Sequence, residues 1–210
     1  MSLSNLLKKI ADSEPGPETC ALFDFDGTII SGYSATAFLK DQIARGELSP
    51  ADLIQLTQAA TRFGIGSLGF SALMAVHAQY LAGRSESEYI ANSERLFRRA
   101  IAKLVYPEAR QLIDAHRAKG HSIAIISSAT PYQVIPAAKD LGIDNVYATD
   151  LEVVDGHFTG SVVTPTCFGQ GKVLAAEAFA EDHGGSVDRS FFYSDRTDDI
   201  ALLEAVGAYV

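Results

Sequence analysis

The chain has 210 residues, of which 47% are hydrophobic and 20% charged, a composition typical of a globular protein with one domain and a large insertion, or with two small domains. Its formal net charge of −9 argues against nucleic-acid binding, which depends on Lys and Arg that neutralise phosphates. No apolar run approaches the ~18 residues that span a bilayer, so we expect no membrane partner. Cys20 and Cys167 form no CxxC pair and are expected to be reduced, as in a cytoplasmic protein.

In chain order, the first predicted element is a short amphipathic helix over Met1–Ile10. Short apolar runs then predict buried parallel strands, because helices that cover both faces of a sheet remove the alternation of polar residues. These strands are Cys20–Phe25, Ser122–Ser127, Asn145–Thr149 and Ser190–Tyr193. Helical patterns lie between and after the later strands, at Glu108–Lys119, Pro131–Leu141, Lys172–Asp182 and Asp198–Val206. The alternation predicts an α/β fold with a doubly wound, Rossmann-like parallel sheet.

Residues 34–105 interrupt this alternation, because they carry helical periodicity and no convincing strand. The predicted helices are Ala37–Ile43, Ala51–Thr61, Gly69–Leu81 and Glu86–Val105. We therefore predict a core of residues 1–31 and 106–210, with a helical cap of residues 32–105 inserted after the first strand. Such an insertion lies over the carboxyl ends of the strands, where open α/β sheets have their active sites. A hairpin is predicted over Val153–Val163, since Asp155-Gly156 is a strong turn signal.

Two carboxylates, Asp24 and Asp26, stand two residues apart at the end of the first predicted strand, after the apolar run Ala21-Leu22-Phe23 and before Gly27. The glycine allows a turn and a close approach of the backbone to a ligand. Concentrated negative charge at the end of a buried strand is costly unless a cation or a chemical task compensates for it. The simpler alternative is a strand that ends in a polar turn.

The second strand ends in Ser127 and Ser128, followed by Ala129-Thr130-Pro131 at the start of a helix. Hydroxyls and N–H groups at this point could hold a phosphoryl group, but ordinary capping of the helix is the preferred explanation of this segment taken alone. Lys172 stands near the start of another helix, where its charge opposes the helix dipole unless it points at an anion. The alternative for Lys172 is a solvated surface lysine.

The last strand also runs into acids, with Asp195 directly beyond it and Asp199 one helical turn later. Carboxylates at the ends of neighbouring strands provide the hard oxygen ligands that Mg²⁺ prefers. The segments around Asp24, Ser128, Lys172 and Asp195 follow one another in the same order as four motifs of a known superfamily. Together they resemble the haloacid dehalogenase-like (HAD) phosphohydrolase superfamily, and the position of the insertion resembles its subfamily IB, the phosphoserine-phosphatase-like branch.

The resemblance implies a Mg²⁺-dependent phosphatase that hydrolyses a small phosphomonoester through an aspartyl-phosphate. It implies that Asp24 is the nucleophile and Asp26 the general acid and base. The metal would be held by Asp24, the backbone carbonyl of Asp26, and Asp195, with Asp199 orienting its waters or Lys172. The phosphate-binding residues implied by the resemblance are Ser128, Lys172, Gly27 and Ala129. Ser127 is the alternative to Ser128.

Three features depart from the family pattern. Ser194 replaces the usual glycine before Asp195. The segment Ser31–Ser34 lacks the glutamate with which phosphoserine phosphatases hold the substrate amine. L-Phosphoserine is therefore not the expected substrate. The chain ends at Val210, where relatives usually continue with a further strand and helix. Two other functions remain open at this stage, a phosphotransferase of the same fold and a catalytically silent binding module, and the sequence gives no signal for oligomeric state.

The remaining candidate residues have ordinary structural interpretations. The histidines show no metal-ligand spacing and are expected to be structural or surface residues: His77, His116, His121, His157 and His183. A basic stretch on one helix is expected to be a solvated face: Arg95, Arg98, Arg99 and Lys103. Core packing is the preferred interpretation, and the underside of the cap the alternative, for Tyr33, Phe63, Phe70 and Met74.

Overall fold

The computed structural model describes residues 2–209. In chain order its strands are β1 (Cys20–Phe23), β2 (Ser122–Ile126), β3 (Asn145–Tyr147), β4 (Leu151–Val154), β5 (His157–Val162), β6 (Phe191–Tyr193) and β7 (Ala208–Tyr209). The main sheet has the order β3-β2-β1-β6-β7 with all neighbours parallel, while β4 and β5 form a separate antiparallel hairpin. The predicted fold class, a doubly wound parallel sheet with an inserted helical cap, is confirmed.

Among the described residues, five α-helices cover the two faces of the main sheet and four form the cap. They are α1 (Leu3–Asp12), α2 (Ser34–Ala44), α3 (Pro50–Gly64), α4 (Phe70–Leu81), α5 (Glu86–Leu96), α6 (Pro107–Ala118), α7 (Pro131–Leu141), α8 (Gln170–Asp182) and α9 (Ile200–Ala205). Successive residues of β1 face opposite sides: Ala21 and Phe23 pack with α1, α6 and α7, whereas Cys20 and Leu22 pack with α8 and α9. Burial on both faces explains why β1 is a continuous apolar run in the sequence.

The strand order reverses between β1 and β6. The chain passes from β1 to β2 and β3 on one side, and then returns to place β6 against the other side of β1. Phe23 and Tyr193, the last residues of these two strands, are paired in register. The N–H of Asp24 donates to the carbonyl of Tyr193 at 2.9 Å. The two acidic segments therefore leave the same edge of the sheet at its topological switch point, where α/β proteins bind ligands.

The helical cap consists of α2 to α5 and follows β1 in the chain. The β4–β5 hairpin contacts the end of this cap, since Gly83 N–H donates to the Phe158 carbonyl at 2.8 Å and Glu86 N–H donates to the Gly156 carbonyl at 2.9 Å. The predicted hairpin turn is confirmed, because Asp155 adopts a φ of 49° and Gly156 a φ of 74°, as this tight turn requires. The cap is thus held by hydrogen bonds to the hairpin as well as by its chain connections.

Several predicted boundaries differ from the structure. The helix predicted over Glu86–Val105 is wrong in its second half. The α-helix α5 ends at Leu96, and the chain then forms a π-helical turn, Phe97–Ile101, and a 3₁₀ turn, Ala102–Leu104. The first helix covers Leu3–Asp12, and Met1 of its predicted range lies outside the described residues. Sequence reasoning missed β7. Within residues 2–209, no helix has the length and apolarity to cross a membrane.

Candidate active site

Asp24, Lys172 and Asp199 form a buried ion-paired group at the end of β1. The Nζ of Lys172 donates to Oδ1 of Asp24 at 2.9 Å and to Oδ2 of Asp199 at 2.8 Å. All three residues are almost fully enclosed, with exposed fractions of 3%, 2% and 2%. Burial by itself lowers the pKa of Lys172, but the two carboxylates outweigh it and hold that pKa above its usual value. Lys172 is therefore a buried cation beside the predicted nucleophile, and the solvated-lysine alternative is wrong.

The pKa of Asp24 is raised, chiefly by burial, and the neighbouring Lys172 ammonium opposes this shift. Ser194 supports the same group, because its Oγ donates to Oδ2 of Asp199 at 2.6 Å and accepts the N–H of Arg196 at 3.1 Å. The serine that replaces the usual glycine of the fourth motif therefore has a local role. It fixes the carboxylate that helps to hold Lys172.

Asp26 faces the N-terminus of α2. Its Oδ1 accepts the N–H of Ser34 at 2.7 Å, and its Oδ2 accepts the Ser34 hydroxyl at 3.0 Å. Tyr33, the residue before α2, makes no side-chain capping bond, so Asp26 supplies the negative partner that a helix N-terminus favours. Burial raises the pKa of Asp26 to about 6, although the two bonds from Ser34 oppose the shift. This carboxyl group can be either protonated or ionised near neutral pH, as a general acid and base requires.

Ser34 is itself held by a short polar chain. The Nε2 of Gln133 donates to the Ser34 hydroxyl at 2.9 Å, and the Oε1 of Gln133 accepts both the N–H and the hydroxyl of Thr130, each at 2.9 Å. Ser34, Thr130 and Gln133 are all buried. The position of the Asp26 carboxylate is thereby connected to the first turn of α7. Sequence reasoning assigned no role to Ser34 or Gln133, and the available signal was the helix start that follows the first motif.

Asp195 lies against the loop that contains Gly27 and Thr28. The Thr28 hydroxyl contacts Oδ1 of Asp195 at 3.4 Å and accepts the Asp195 N–H at 3.2 Å. A Cβ atom at Gly27 would clash with the carboxylate of Asp195, and the φ of Gly27 is +86°. Gly27 is therefore required for the approach of Asp195 to the first motif, both sterically and conformationally.

A cavity of about 200 Å³ lies between the cap and the ends of β1 and β2. Of the predicted site residues, it is lined by Asp24, Asp26, Ser128, Ala129, Lys172 and Asp199. Ser127 does not line it, because its Oγ accepts the N–H of Ala129 at 3.2 Å and closes the turn locally. This geometry favours Ser128 over Ser127 as the hydroxyl that faces a ligand.

Two predicted residues lie beside this cavity and not in its wall. The N–H of Gly27 donates to the Ile30 carbonyl at 2.9 Å, so the structure does not direct that N–H at a phosphate, contrary to the prediction. Asp195 lines a neighbouring cavity of about 430 Å³ on the other side of the loop, together with Thr28 and Tyr106. The structure thus brings Asp195 to the first motif but not into the cavity that contains Asp24.

The cap side of the active-site cavity is aromatic and apolar. Phe70 stacks on Phe168 with ring centroids 4.4 Å apart and an interplanar angle of 9°, and Phe63 contacts both rings edge-on. Tyr33 and Met74 also line the cavity. Met74 lies in the hydrophobic core and Phe70 packs against that core, so core packing is confirmed for these two residues, which also line the cavity. Tyr33 and Phe63 lie outside the core and line the cavity, in agreement with the alternative. Phe168 was missed because it comes from the segment before α8, far from the cap in sequence.

A charged pair closes the rim of the same cavity. The guanidinium of Arg196 donates to Asp198 at 2.8 Å and to the Tyr33 hydroxyl, and it also lies 5.3 Å from the Tyr33 ring centroid. The bond with Asp198 raises the pKa of Arg196. Neither Arg196 nor Asp198 was a predicted site residue, and both are already engaged with partners inside the chain.

A chain of hydrogen bonds lies beneath the ends of β1 and β6. His121 Nε2 contacts the Glu14 carbonyl at 2.9 Å, the Nδ1 atoms of His116 and His121 lie 2.8 Å apart, and His116 Nε2 lies 2.8 Å from the Tyr193 hydroxyl. Because a carbonyl only accepts, His121 donates to Glu14, His116 donates to His121, and Tyr193 donates to His116. Burial lowers the pKa of His116 to about 3. The prediction that these two histidines are structural is confirmed.

Tyr193 connects this chain of bonds to the site. Its ring stacks on Phe23 with centroids 4.6 Å apart and an interplanar angle of 11°. Phe23 directly precedes Asp24, and Tyr193 directly precedes Ser194 and Asp195. The two acidic segments are therefore supported by one stacked pair of buried rings.

The fit of a divalent cation follows from the donor set. In the described part of the chain, no group of three or more His, Cys, Asp and Glu side chains is arranged to hold a metal. Mg²⁺ needs fewer, because it usually takes one or two protein carboxylates and fills its remaining positions with carbonyls, substrate phosphate and water. The carboxylates of Asp24 and Asp195 and the backbone carbonyl of Asp26 are donors of the type that Mg²⁺ prefers, although Asp195 lines the neighbouring cavity and not the one that contains Asp24.

Comparison with known proteins identifies the family. A family model described as haloacid dehalogenase-like hydrolase matches residues 21–204. The chain belongs to this HAD family. The predictions of the family and of a hydrolytic enzyme are confirmed.

Relatives that are named phosphatases agree with this assignment, and a solved structure shares the fold. A probable phosphatase of Mycobacterium tuberculosis is 31% identical over 92% of this HAD chain and 68% of its own length. A phosphoserine phosphatase of the same species, SerB1, is 32% identical over 90% of this chain and 63% of its own length. This HAD chain therefore spans about two thirds of these curated relatives. A protein of unknown function from Bordetella pertussis Tohama I has a TM-score of 0.83 at 27% identity, with 92% of this chain and 89% of that one covered.

Proposed function

We propose that this HAD chain is a Mg²⁺-dependent phosphatase that hydrolyses a small phosphomonoester through an aspartyl-phosphate on Asp24. The buried Asp24–Lys172–Asp199 group beneath the cavity carries the proposal. A fully enclosed lysine between two carboxylates has a high desolvation cost. Beside an attacking oxygen, its positive charge can stabilise the transition state. Relatives that are named phosphatases support the same reaction class.

In the first step, a carboxylate oxygen of Asp24 attacks phosphorus, and the bond between phosphorus and the leaving oxygen breaks. Asp26 gives its proton to that leaving oxygen, so that a neutral alcohol departs. Lys172 fixes Asp24 through Oδ1 and provides positive charge next to the phosphoryl oxygens, while the Ser128 hydroxyl donates to them. Each group acts from a position at the end of a buried strand or in the first turn of a helix, where its motion is restricted.

In the second step, Asp26 is ionised and takes a proton from water. The water oxygen attacks phosphorus, the bond from phosphorus to Asp24 breaks, and phosphate leaves with the enzyme restored. The raised pKa of Asp26, about 6, suits both halves of this cycle. The bonds from Ser34 hold the Asp26 carboxylate in one orientation during the change of protonation.

Mg²⁺ would be held by the carboxylates of Asp24 and Asp195 and the backbone carbonyl of Asp26. When bound, it supplies positive charge that screens the carboxylates from the anionic substrate. The close fit of Asp195 against Gly27 supports this assignment, because a side chain at position 27 would exclude the Asp195 carboxylate. L-Phosphoserine, which the name of the SerB1 relative indicates, is not the proposed substrate, because the segment before α2 provides no acidic partner for a substrate amine.

The test is release of phosphate from a generic aryl phosphate, with Mg²⁺ and with a chelator. We expect turnover that requires Mg²⁺, and a loss of at least about a thousandfold in kcat for Asp24→Asn. The exposed carboxylate variant Asp144→Asn is the matched control and should retain full turnover. Full activity of Asp24→Asn would contradict the assignment of the nucleophile, and addition of an acceptor alcohol would reveal phosphotransfer as a phosphorylated alcohol.

A further inference from the structure

A second cavity of about 220 Å³ lies among the helices of the cap, and we call it the cap chamber. It shares four lining residues with the active-site cavity, namely Ala35, Leu73, Met74 and Gln133. The two cavities therefore adjoin at these side chains. The two volumes together fall in the ~300–1,000 Å³ range of ordinary ligand sites, which neither reaches alone.

The walls of the cap chamber carry no fixed charge among the described residues. Besides the shared residues, the lining consists of Phe38, Leu39, Leu56, Ala60, His77 and Tyr89. Burial lowers the pKa of His77 to about 4, so its imidazole is neutral at pH 7. An uncharged, mainly hydrocarbon surface of this kind favours an apolar ligand.

The approach to the chamber from the phosphate site is also apolar. On its cap side, the active-site cavity is lined by the stacked rings of Phe70 and Phe168 and by Leu73 and Met74. The charged residues at the rim, Arg196 and Asp198, are paired with each other. The leaving group would therefore find little compensation for a charge of its own along this path.

We propose that the substrate carries an extended, uncharged apolar chain that passes Leu73 and Met74 and lies in the cap chamber. The inference rests on the proposed phosphatase function and names its substrate class, a phosphomonoester of a long apolar alcohol. The phosphate lies at Asp24 and Lys172, and the chain extends away from them toward the cap. Specificity then comes from burial of methylene groups and not from recognition of an amine or a carboxylate.

The test compares straight-chain alkyl phosphates, from ethyl to decyl phosphate, with Mg²⁺ present. Each methylene buried in the chamber should raise kcat/KM by about three- to fourfold until the chamber is filled, with most of the effect in KM. L-Phosphoserine should be hydrolysed less efficiently than butyl phosphate. A kcat/KM that does not vary with chain length would contradict the inference while leaving the phosphatase function intact.

Two substitutions change the chamber in opposite directions. Ala60→Phe adds volume to its wall and should reduce kcat/KM for decyl phosphate at least about tenfold while leaving ethyl phosphate unchanged. Leu56→Ala removes volume and should shift the best substrate to a longer chain. Ala72→Phe, an exposed α4 position outside both cavities, is the control and should leave the length dependence unchanged. If neither chamber variant alters the length dependence, the inference is wrong.

Binding of alkyl phosphonates by calorimetry gives a readout that does not depend on turnover. Decyl phosphonate should bind more tightly than ethyl phosphonate, and Ala60→Phe should abolish the difference. Length-dependent binding without any hydrolysis would support the chamber and contradict the proposed catalysis. Equal binding of the two phosphonates would overturn the chamber whatever the activity.

Discussion

Asp24 and Asp26 leave the same strand two residues apart, but their carboxylates have different partners. Asp24 accepts from the buried ammonium of Lys172, whereas Asp26 accepts from the hydroxyl and the N–H of Ser34. Burial raises the pKa of both carboxyl groups: the Lys172 ammonium opposes the rise at Asp24, whereas the neutral donors of Ser34 chiefly oppose it at Asp26, whose pKa is about 6. At the residue scale, these partners account for the proposed division between nucleophile and acid–base.

The pKa of Asp26 predicts a pH dependence for alkyl phosphates, whose leaving groups need a proton. Protonated Asp26 is required in the first step, so kcat/KM should decrease about tenfold per pH unit above about 6. Aryl phosphates need less protonation and should show a shallower decrease. Steady-state kinetics from pH 5 to 9 check this, and a flat profile for alkyl phosphates would contradict the role of Asp26.

Ser34→Ala provides the matched variant for this profile. It removes the hydroxyl donor to Asp26 but keeps the backbone N–H donor, so the pKa of Asp26 should rise and the decrease should move to higher pH. Asp26→Asn should remove the dependence together with most of the activity on alkyl phosphates. A shift of the Ser34→Ala profile to lower pH would be the contrary result.

The sequence predicts the residues of the strand ends better than their partners. Asp24, Asp26 and Asp195 could be named because each lies at the end of a buried apolar run, and Lys172 because its charge at a helix start is favourable only beside an anion. Ser34 was not found, because any serine at a helix start has an ordinary capping role. The contact with Asp26 distinguishes Ser34 from an ordinary capping serine, and local sequence patterns do not encode such a tertiary contact.

At the scale of elements, β1 and β6 act as one unit. Their last residues pair in register and stack their rings, and the Tyr193 hydroxyl continues into the hydrogen-bonded chain through His116 and His121 to Glu14. This chain requires neutral imidazoles, because each ring must accept one bond and donate another. The support beneath the acidic loops should therefore be sensitive to acid.

The histidine chain predicts how stability depends on pH. Below the unfolded pKa of about 6.5, the unfolded chain binds a proton at His116 that the folded chain, with a pKa of about 3, does not. The free energy of unfolding should therefore decrease as pH falls below about 6.5, by up to about 1.4 kcal/mol per pH unit from His116. Urea unfolding between pH 5 and 8 measures this slope.

His116→Phe is the matched variant, since it keeps a ring in the same buried space. Its stability at pH 8 should be lower, because Tyr193 and His121 lose a hydrogen-bond partner, but its decrease between pH 6.5 and 5 should be smaller than in the wild type. A wild-type slope that His116→Phe leaves unchanged would show that other groups account for it.

The regular strands and helices were predicted more accurately than the irregular turns of the cap. The buried strands and the helices that end at glycines follow local rules, so their positions agree with the structure to within a few residues. The break of the long cap helix into π and 3₁₀ turns at Phe97–Leu104 was not predicted. Every residue of that segment is compatible with an α-helix, so local patterns do not show the break. The wider π turn and the tighter 3₁₀ turn depend on how the segment packs against the core.

At the scale of the whole molecule, the cavity is formed where the cap meets the core. Phe63, Phe70 and Met74 come from the cap, and Phe168 comes from the core segment before α8. The sequence predicted that a cap would cover the site, because the insertion follows the first strand. It could not predict which cap side chains face the site, since the direction of a helix face depends on how the cap lies on the core.

The acidic charge of the whole site predicts stabilisation by Mg²⁺. A cation that binds only the folded chain raises the free energy of unfolding by about 2.7 kcal/mol at a hundred times its Kd. Thermal unfolding with and without Mg²⁺ should show an increase in Tm that Asp195→Asn largely abolishes. Asp188→Asn, an exposed carboxylate before β6, should retain the increase. An equal increase in the Asp195→Asn protein would exclude Asp195 as a ligand.

The covalent intermediate on Asp24 can be measured directly. The protein is mixed with an aryl phosphate and Mg²⁺, quenched in acid within one turnover, digested, and mapped by mass spectrometry. We expect a phosphoryl group on the peptide that contains Asp24, and none there in Asp24→Asn. A phosphoryl group on a different residue, or turnover without any phosphorylated protein, would contradict the proposed mechanism.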